Sequence, residues 1–442
     1  MPTVADESSN VQLFKRTPRT ARFMAQEVNR KLKPQEPHER KGPALSVGHS
    51  RVVHDDEDAE TEQLRRAKAT AVDGETIRQH AAVAALAAQK NIALPESSDS
   101  GLDDRPRVGT VTRVLRAFKA LSSPYPPKQK KARGKRKSDE LEEYHVEELE
   151  YKSEEADSSQ AWVPLRIVKP VSALSRLPVI IYLHATGGNL EQMHGRMELA
   201  AQRGYLTAAI DCHYHGRRCL PGGAGRHCYE DALVRAWREG IERPFLLDNV
   251  WDLTILLDYL ETRPDIDSSR IGMTGISLGG MHSWLTAALD ERVAVAAPMI
   301  GVQNFRWAVE NDTWHARVGS IPRVFAAAAS DLGKPAVDAE VVRRVWGRIM
   351  PGLLEGFDAP HSLPCIAPRP FLIANGELDP RCPVKGLEEV LQQTRDAYED
   401  AGAAENFRVY FEKGLGHSVS HGLDAQVNAF LDQHLLRKTG VQ

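Results

Sequence analysis

Arg270-Ile271-Gly272-Met273-Thr274-Gly275-Ile276-Ser277-Leu278-Gly279-Gly280 is the stretch on which the fold turns. Its first five residues read as a strand, and the apolar residues 281–289 that follow read as a helix. Between them lies G-x-S-x-G, the pattern of a sharp strand-to-helix turn with a serine at its apex. Small flanking residues let strand and helix approach, and the serine hydroxyl projects above the sheet. A chain of 442 residues matches the bare pattern by chance with probability on the order of 0.1. The strand before it and the helix after it therefore carry the argument.

Working outward, residues 177–183 (Leu-Pro-Val-Ile-Ile-Tyr-Leu) form a continuous apolar run. Such a run predicts a strand buried on both faces, as in a parallel sheet. Comparable runs recur at 206–210, 271–274, 293–298, 371–374 and 407–411, separated by helical patterns such as 246–261. Residues 141–151 and 161–171 alternate instead, which predicts exposed antiparallel strands. The expected fold class is α/β, a three-layer α/β/α sandwich around a doubly wound, mostly parallel sheet. No internal repeat of 20–50 residues interrupts it.

A serine hydroxyl needs a base, and the base needs an orienting group. In this architecture the order along the chain is Ser, acid, His. The buried strand 371–374 runs into Asn375-Gly376-Glu377-Leu378-Asp379-Pro380, making Asp379 the acid candidate. The last strand runs into Gly414-Leu415-Gly416-His417-Ser418, making His417 the base candidate. Ser277 is the nucleophile candidate, and each of the three follows its own strand. The backbone N–H of Leu278, just after the nucleophile, is one expected oxyanion donor. The other is expected in the loop His184-Ala185-Thr186-Gly187-Gly188-Asn189 after the first buried strand.

These residues, together with Asp211-Cys212-His213-Tyr214-His215-Gly216, resemble the α/β-hydrolase superfamily. Within it they resemble the branch holding dienelactone hydrolases, acetyl xylan esterases and prolyl-oligopeptidase-like enzymes. The resemblance covers roughly residues 165–438. It implies a Ser-His-Asp hydrolase of esters acting through an acyl-enzyme, with Thr186 as the second oxyanion donor, and with no metal or organic cofactor. Ala185 stands where many relatives carry Gly. A peptidase-like hydrolase and a slow or non-catalytic ligand sensor are the alternatives. Prolyl oligopeptidases carry an N-terminal propeller, and residues 1–137 lack the regularly spaced strand patterns one needs. A small-molecule acyl substrate is the expected partner.

Residues 301–368 read as a cap-like insertion rich in aromatic residues. Val341, Val342, Val345, Trp346 and Ile349 fit one helical face. Phe305, Trp307 and Trp314, with His184, are candidates for the wall of an acyl pocket. The alternative is that the aromatics pack the cap onto the body. Cys212, His213, His215, Cys219, His227 and Cys228 fall close together, but their spacing matches no paired zinc motif. No metal is expected there.

The first third has another character. Residues 1–137 carry 27 Lys/Arg against 17 Asp/Glu, whereas residues 138–442 carry 30 against 43. Low apolar content and scattered prolines predict a largely disordered, basic extension over 1–137, ahead of a hydrolase domain over 138–440. Within the extension, 11–33 and 75–94 read as helical islands. Lys128 to Lys137 holds seven basic residues in ten. It is either a solvated linker or a contact for nucleic acid or the nuclear import machinery. No apolar run reaches the ~18 residues of a membrane span, and the N-terminus lacks an apolar signal core. Five cysteines in so long a chain argue against a disulfide framework. An intracellular protein, cytoplasmic or nuclear, is expected, with an organelle as the alternative.

Overall fold

The structure, a computed structural model, describes residues 128–129, 144–154, 158–171, 176–219 and 226–436. The basic extension and its two helical islands lie outside the described residues. So does the Lys128–Lys137 run beyond its first two members. All the described residues belong to one compact unit, Ser97–Gln442.

Nine strands among the described residues form one sheet: β1 (Lys128–Gln129), β2 (Tyr144–Lys152), β3 (Trp162–Pro170), β4 (Leu177–Leu183), β5 (Leu206–Ile210), β6 (Ile266–Ile276), β7 (Val293–Met299), β8 (Phe371–Gly376) and β9 (Phe407–Glu412). Their order is β1-β2-β3-β5-β4-β6-β7-β8-β9. The pairings from β5 through β9 are parallel, while β1, β2 and β3 join antiparallel. The fold class expected from the apolar runs is the one observed. Every residue of β4 is buried, because parallel strands lie between helical layers and never face water.

Helices α1 (His194–Gln202) and α11 (His421–Leu435) cover one face. They pack Met197, Ala200, Val427, Phe430 and Leu431 against Ile180, Tyr182, Val295 and Leu372. Helices α3 (Leu247–Glu261) and α4 (Leu278–Leu289) pack on β6. Between α1 and α3 runs α2 (Arg226–Glu239). After α4 come five helices of the insertion: α5 (Phe305–Glu310), α6 (His315–Val318), α7 (Pro322–Asp331), α8 (Ala339–Ile349) and α9 (Ala359–Ser362). Then α10 (Glu388–Asp400) joins β8 to β9. The apolar face expected over 341–349 is the buried face of α8.

One expectation needs correcting. Residues 161–171 were to be an exposed alternating strand, yet Val163, Leu165, Ile167 and Val168 of β3 are all fully buried. The strand is not at the edge. It lies between β2 and β5, and α1 packs over it. Position in the sheet overrode the local pattern.

The chain leaves β4 for β5 on one side and returns to β6 on the other. That reversal opens a crevice at the carboxyl ends of β4 and β6, where α/β sheets bind ligands. The Ser277 turn follows β6, and the His184 loop follows β4.

Candidate active site

Ser277 sits between β6 and α4 with φ 54° and ψ −106°. A non-glycine residue held there stores strain of order 1–3 kcal/mol. Two backbone bonds hold the turn: Ser277 N–H to Met299 O at 2.9 Å and Met281 N–H to Ser277 O at 2.9 Å. Gly279 shows why the motif needs glycine. A Cβ there would collide with the carbonyl of Leu183, so helix and strand could not close together.

The structure brings the three candidate residues together. Ser277 Oγ lies 2.9 Å from His417 Nε2, and His417 Nδ1 lies 2.7 Å from Asp379 Oδ2. The other oxygen of Asp379 accepts from Arg381 N–H at 2.8 Å and Cys382 N–H at 3.1 Å. Asp379 is 2% exposed and Ser277 5%. Burial depresses the His417 pKa. Asp379 pulls it upward, and Arg317 and Arg381 push it down again; the net direction is down.

The loop after β4 is built around a turn. Gly188 N–H donates to Ala185 O at 2.9 Å, with Thr186 and Gly187 at its centre. Gly187 has φ 76°, the left-handed value the third residue of such a turn requires. The turn's bond uses the N–H of neither Thr186 nor Gly187. The N–H of Leu278 opens α4, and the first N–H groups of a helix have no intrahelical acceptor.

His184 is fully buried. Its Nε2 accepts from Cys212 N–H at 3.1 Å, so the ring proton is on Nδ1, which donates to Ala185 O at 2.9 Å. Asp211 makes a second tie. Its two oxygens accept from Leu190 N–H at 2.8 Å and Arg217 N–H at 2.9 Å. His184 Nε2 and Asp211 thus fasten the loops 184–190 and 211–217 to each other, while His184 Nδ1 is spent within its own loop.

Of the three aromatic pocket candidates, Phe305 is fully buried among Phe245 and Trp346, with ring centroids 6.3 and 5.2 Å away. Trp314 is buried and stacks on His315. Trp307 is half-buried with its ring against Gly386. The Cys/His group of 212–228 does not converge. His213 Nε2 lies 3.1 Å from Asp252 Oδ2, and His215 Nδ1 donates to His213 O at 2.8 Å. Burial pushes the Cys212 thiol up.

Asp379, Cys382 and His417 do bring three ligand-type atoms within 4.8 Å of one another. Their chemistry does not suit a metal. Burial pushes the Cys382 thiol up to about 12, and the protonated thiol donates to Ile300 O at 3.3 Å. Only the thiolate ligates well.

Sequence reasoning passed over Gln303 and Arg317 in the insertion. Arg317 Nε donates to Gln303 Oε1 at 3.1 Å, and its Nη2 reaches Cys382 Sγ at 3.2 Å and Arg381 O at 3.4 Å. Nothing local marks either residue, since their partners are distant in the chain.

With the geometry in hand, comparison with known proteins places the fold. The chain has the α/β-hydrolase fold. Residues 163–345 match the model of the dienelactone hydrolase family. The Bacillus subtilis (strain 168) protein YtaP is 24% identical over 287 residues, 62% of this chain and 83% of that protein. Dipeptidyl-peptidase 5 of Porphyromonas gingivalis is 24% identical over 213 residues, 46% of this chain but 26% of that protein. Among solved structures, acetyl xylan esterase 1 from Thermoanaerobacterium sp. JW/SL YS485 has a TM-score of 0.52 at 14% identity. That match covers 74% of this chain and 93% of the esterase. No helix among the described residues is long and apolar enough to cross a membrane.

Proposed function

We propose that this α/β-hydrolase is a serine carboxylesterase that cleaves small acyl esters through an acyl-enzyme. The observation that carries the reading is the unbroken contact from Ser277 Oγ to His417 to Asp379, at 2.9 and 2.7 Å. His417 takes the Ser277 proton as Oγ bonds to the acyl carbon. Asp379 keeps the imidazole in the Nδ1–H tautomer and stabilises the imidazolium. The oxyanion is held by the N–H groups of Leu278 and Thr186, worth ~3 kcal/mol each. On collapse the bond between the acyl carbon and the ester's alkoxy oxygen breaks, His417 gives its proton to the departing alcohol, and the acyl group stays on Ser277 Oγ. Water then repeats the sequence and releases the carboxylic acid.

The dienelactone hydrolase match over 163–345 supports an ester substrate, and so does the name of the acetyl xylan esterase with the same fold. The similarity to Dipeptidyl-peptidase 5 makes peptides the second substrate class to test. A fluorophosphonate probe on the full chain, with mass spectrometry to find the adduct, is the first experiment. An adduct on Ser277 that is absent in Ser277→Ala is expected, followed by turnover of short acyl esters above that of dipeptide amides. Labelling elsewhere, or none in folded protein, would overturn the assignment and leave a ligand sensor. Faster turnover of peptides would replace the esterase reading with a peptidase.

A further inference from the structure

The geometry points to Arg317 as a positioning residue that ties the insertion to the turn carrying Asp379 and sets the electrostatic environment of His417. This rests on the serine-hydrolase reading above. Arg317 is 4% exposed. Its three acceptors among the described residues are the amide of Gln303, the carbonyl of Arg381 and the sulfur of Cys382, none of them charged. Arginine is seldom buried unless it is paired, and a buried guanidinium without a carboxylate is costly. A fold that keeps one beside its candidate base gains something from its position.

The connections show what that is. Arg381 and Cys382 are the two residues whose N–H groups hold Asp379 Oδ1. The single Nη2 of Arg317 grips the same two residues from behind, at the Arg381 carbonyl and the Cys382 sulfur. At its other end Arg317 holds Gln303, whose side-chain amide donates to Met281 Sδ at 3.2 Å. Met281 is the residue whose N–H closes the Ser277 turn. Cys382 also donates to Ile300 O, one residue past the Met299 carbonyl that receives Ser277 N–H. A ring of contacts thus runs from the nucleophile turn through Met281, Gln303 and Arg317 to the acid turn. It returns through Asp379 and His417 to Ser277. Arg317 is the member that crosses between the two turns, and its planar fork can serve Gln303 and the acid turn together, which a lysine cannot.

Its charge has a second effect. The groups facing His417 are Asp379 and Arg381 from the acid turn, Cys382 beside them, Ser277 from the elbow, and Arg317 from α6. Those facing Arg317 itself are Arg381, Cys382, His417 and, from α2, Tyr229. Asp379 favours the imidazolium; Arg317 and Arg381 oppose it. A buried cation in a low-dielectric site acts strongly on a neighbouring base. Arg317 therefore keeps His417 neutral, and able to accept a proton, at lower pH than Asp379 alone would allow.

The test measures the rate of Ser277 labelling by a fluorophosphonate probe across pH, on the full chain and on Arg317→Lys and Arg317→Gln, with a thermal melt of each. For Arg317→Gln the rate is expected to fall roughly tenfold or more, and the midpoint of the acid limb to rise by about half a pH unit or more. For Arg317→Lys the midpoint is expected to stay, because the charge remains, while the rate falls with the lost fork. A merely structural arginine would lower the melting temperature and leave the midpoint of both variants unmoved, which overturns the inference. If Arg317→Gln gives no cooperative melt, Arg317→Lys decides alone: a reduced rate at a parental melting temperature supports the proposal, and a parental rate or a lowered melting temperature overturns it. Absence of Ser277 labelling in the parent chain would count against the serine-hydrolase reading itself, which keeps the two failures apart.

Discussion

Cys212 donates its backbone N–H to His184 Nε2 across 3.1 Å, joining the loop after β5 to the loop after β4. The bond consumes the ring nitrogen that a catalytic histidine would need, and it holds the loop that presents Thr186. Removing the ring nitrogen leaves a buried N–H without an acceptor, which costs about 1–3 kcal/mol. His184→Phe is therefore expected to lower the urea-unfolding free energy by that amount and to slow ester turnover. Unchanged stability in that variant would show that the N–H finds another acceptor.

The strained backbone at Ser277, φ 54°, implies a conflict between stability and activity. Glycine adopts positive φ without penalty. Ser277→Gly is expected to raise the unfolding free energy by about 1 kcal/mol while abolishing ester turnover. Ser277→Ala is expected to abolish turnover without that gain, since alanine keeps the Cβ. Parallel denaturation curves and ester assays of the two variants separate the effects.

Asp379 accepts three hydrogen bonds and faces His417 Nδ1 at 2.7 Å. Asp379→Asn can donate to that nitrogen and so favours the wrong tautomer. Ester turnover at pH 7 is expected to fall by roughly four orders of magnitude, with the fold retained by circular dichroism. A loss under tenfold would mean that His417 is oriented by something else.

If the proposed ester hydrolysis runs through His417, the acid limb of its pH profile is expected below the ordinary histidine value of about 6.5, since burial depresses the His417 pKa. Activity needs the neutral ring, so a lower pKa extends activity to lower pH. A midpoint above about 7 would contradict the environment described for His417.

Stability has its own pH dependence. His282 is fully buried, and burial lowers its pKa to about 3. His184 and His215 are lowered too, by burial first. A histidine with a depressed folded pKa contributes stability that is full above its unfolded value, near 6.5. That stability drains away as pH falls toward the folded value, because the unfolded chain takes up the proton first. Unfolding free energy is expected to decline by a few kcal/mol between about pH 6.5 and 4, with proton uptake on unfolding. A flat profile over that window would mean these rings are hydrated.

Much of this was readable along the chain, and the reasons are local. The run Val179-Ile180-Ile181-Tyr182 could only be a doubly covered strand, and it is β4. The Ser277 turn was legible because its glycines answer a steric demand within the same few residues. Asp379 and His417 were legible because each follows a strand, in the order this architecture uses. Burial of β3 was not, since its neighbours β2 and β5 decide it and one of them lies some forty residues downstream.

The sequence by itself determined the sheet, its parallel core and the identities of the three residues that meet above it, because strand burial and turn geometry are written in short-range patterns. Only the tertiary structure decided what His184 and Arg317 do. Both are polar residues whose partners, Cys212 for one and Gln303, Arg381 and Cys382 for the other, come near through folding alone. A hydrogen bond of about 3 Å depends on placement in three dimensions, and no spacing along a chain encodes it at such separations.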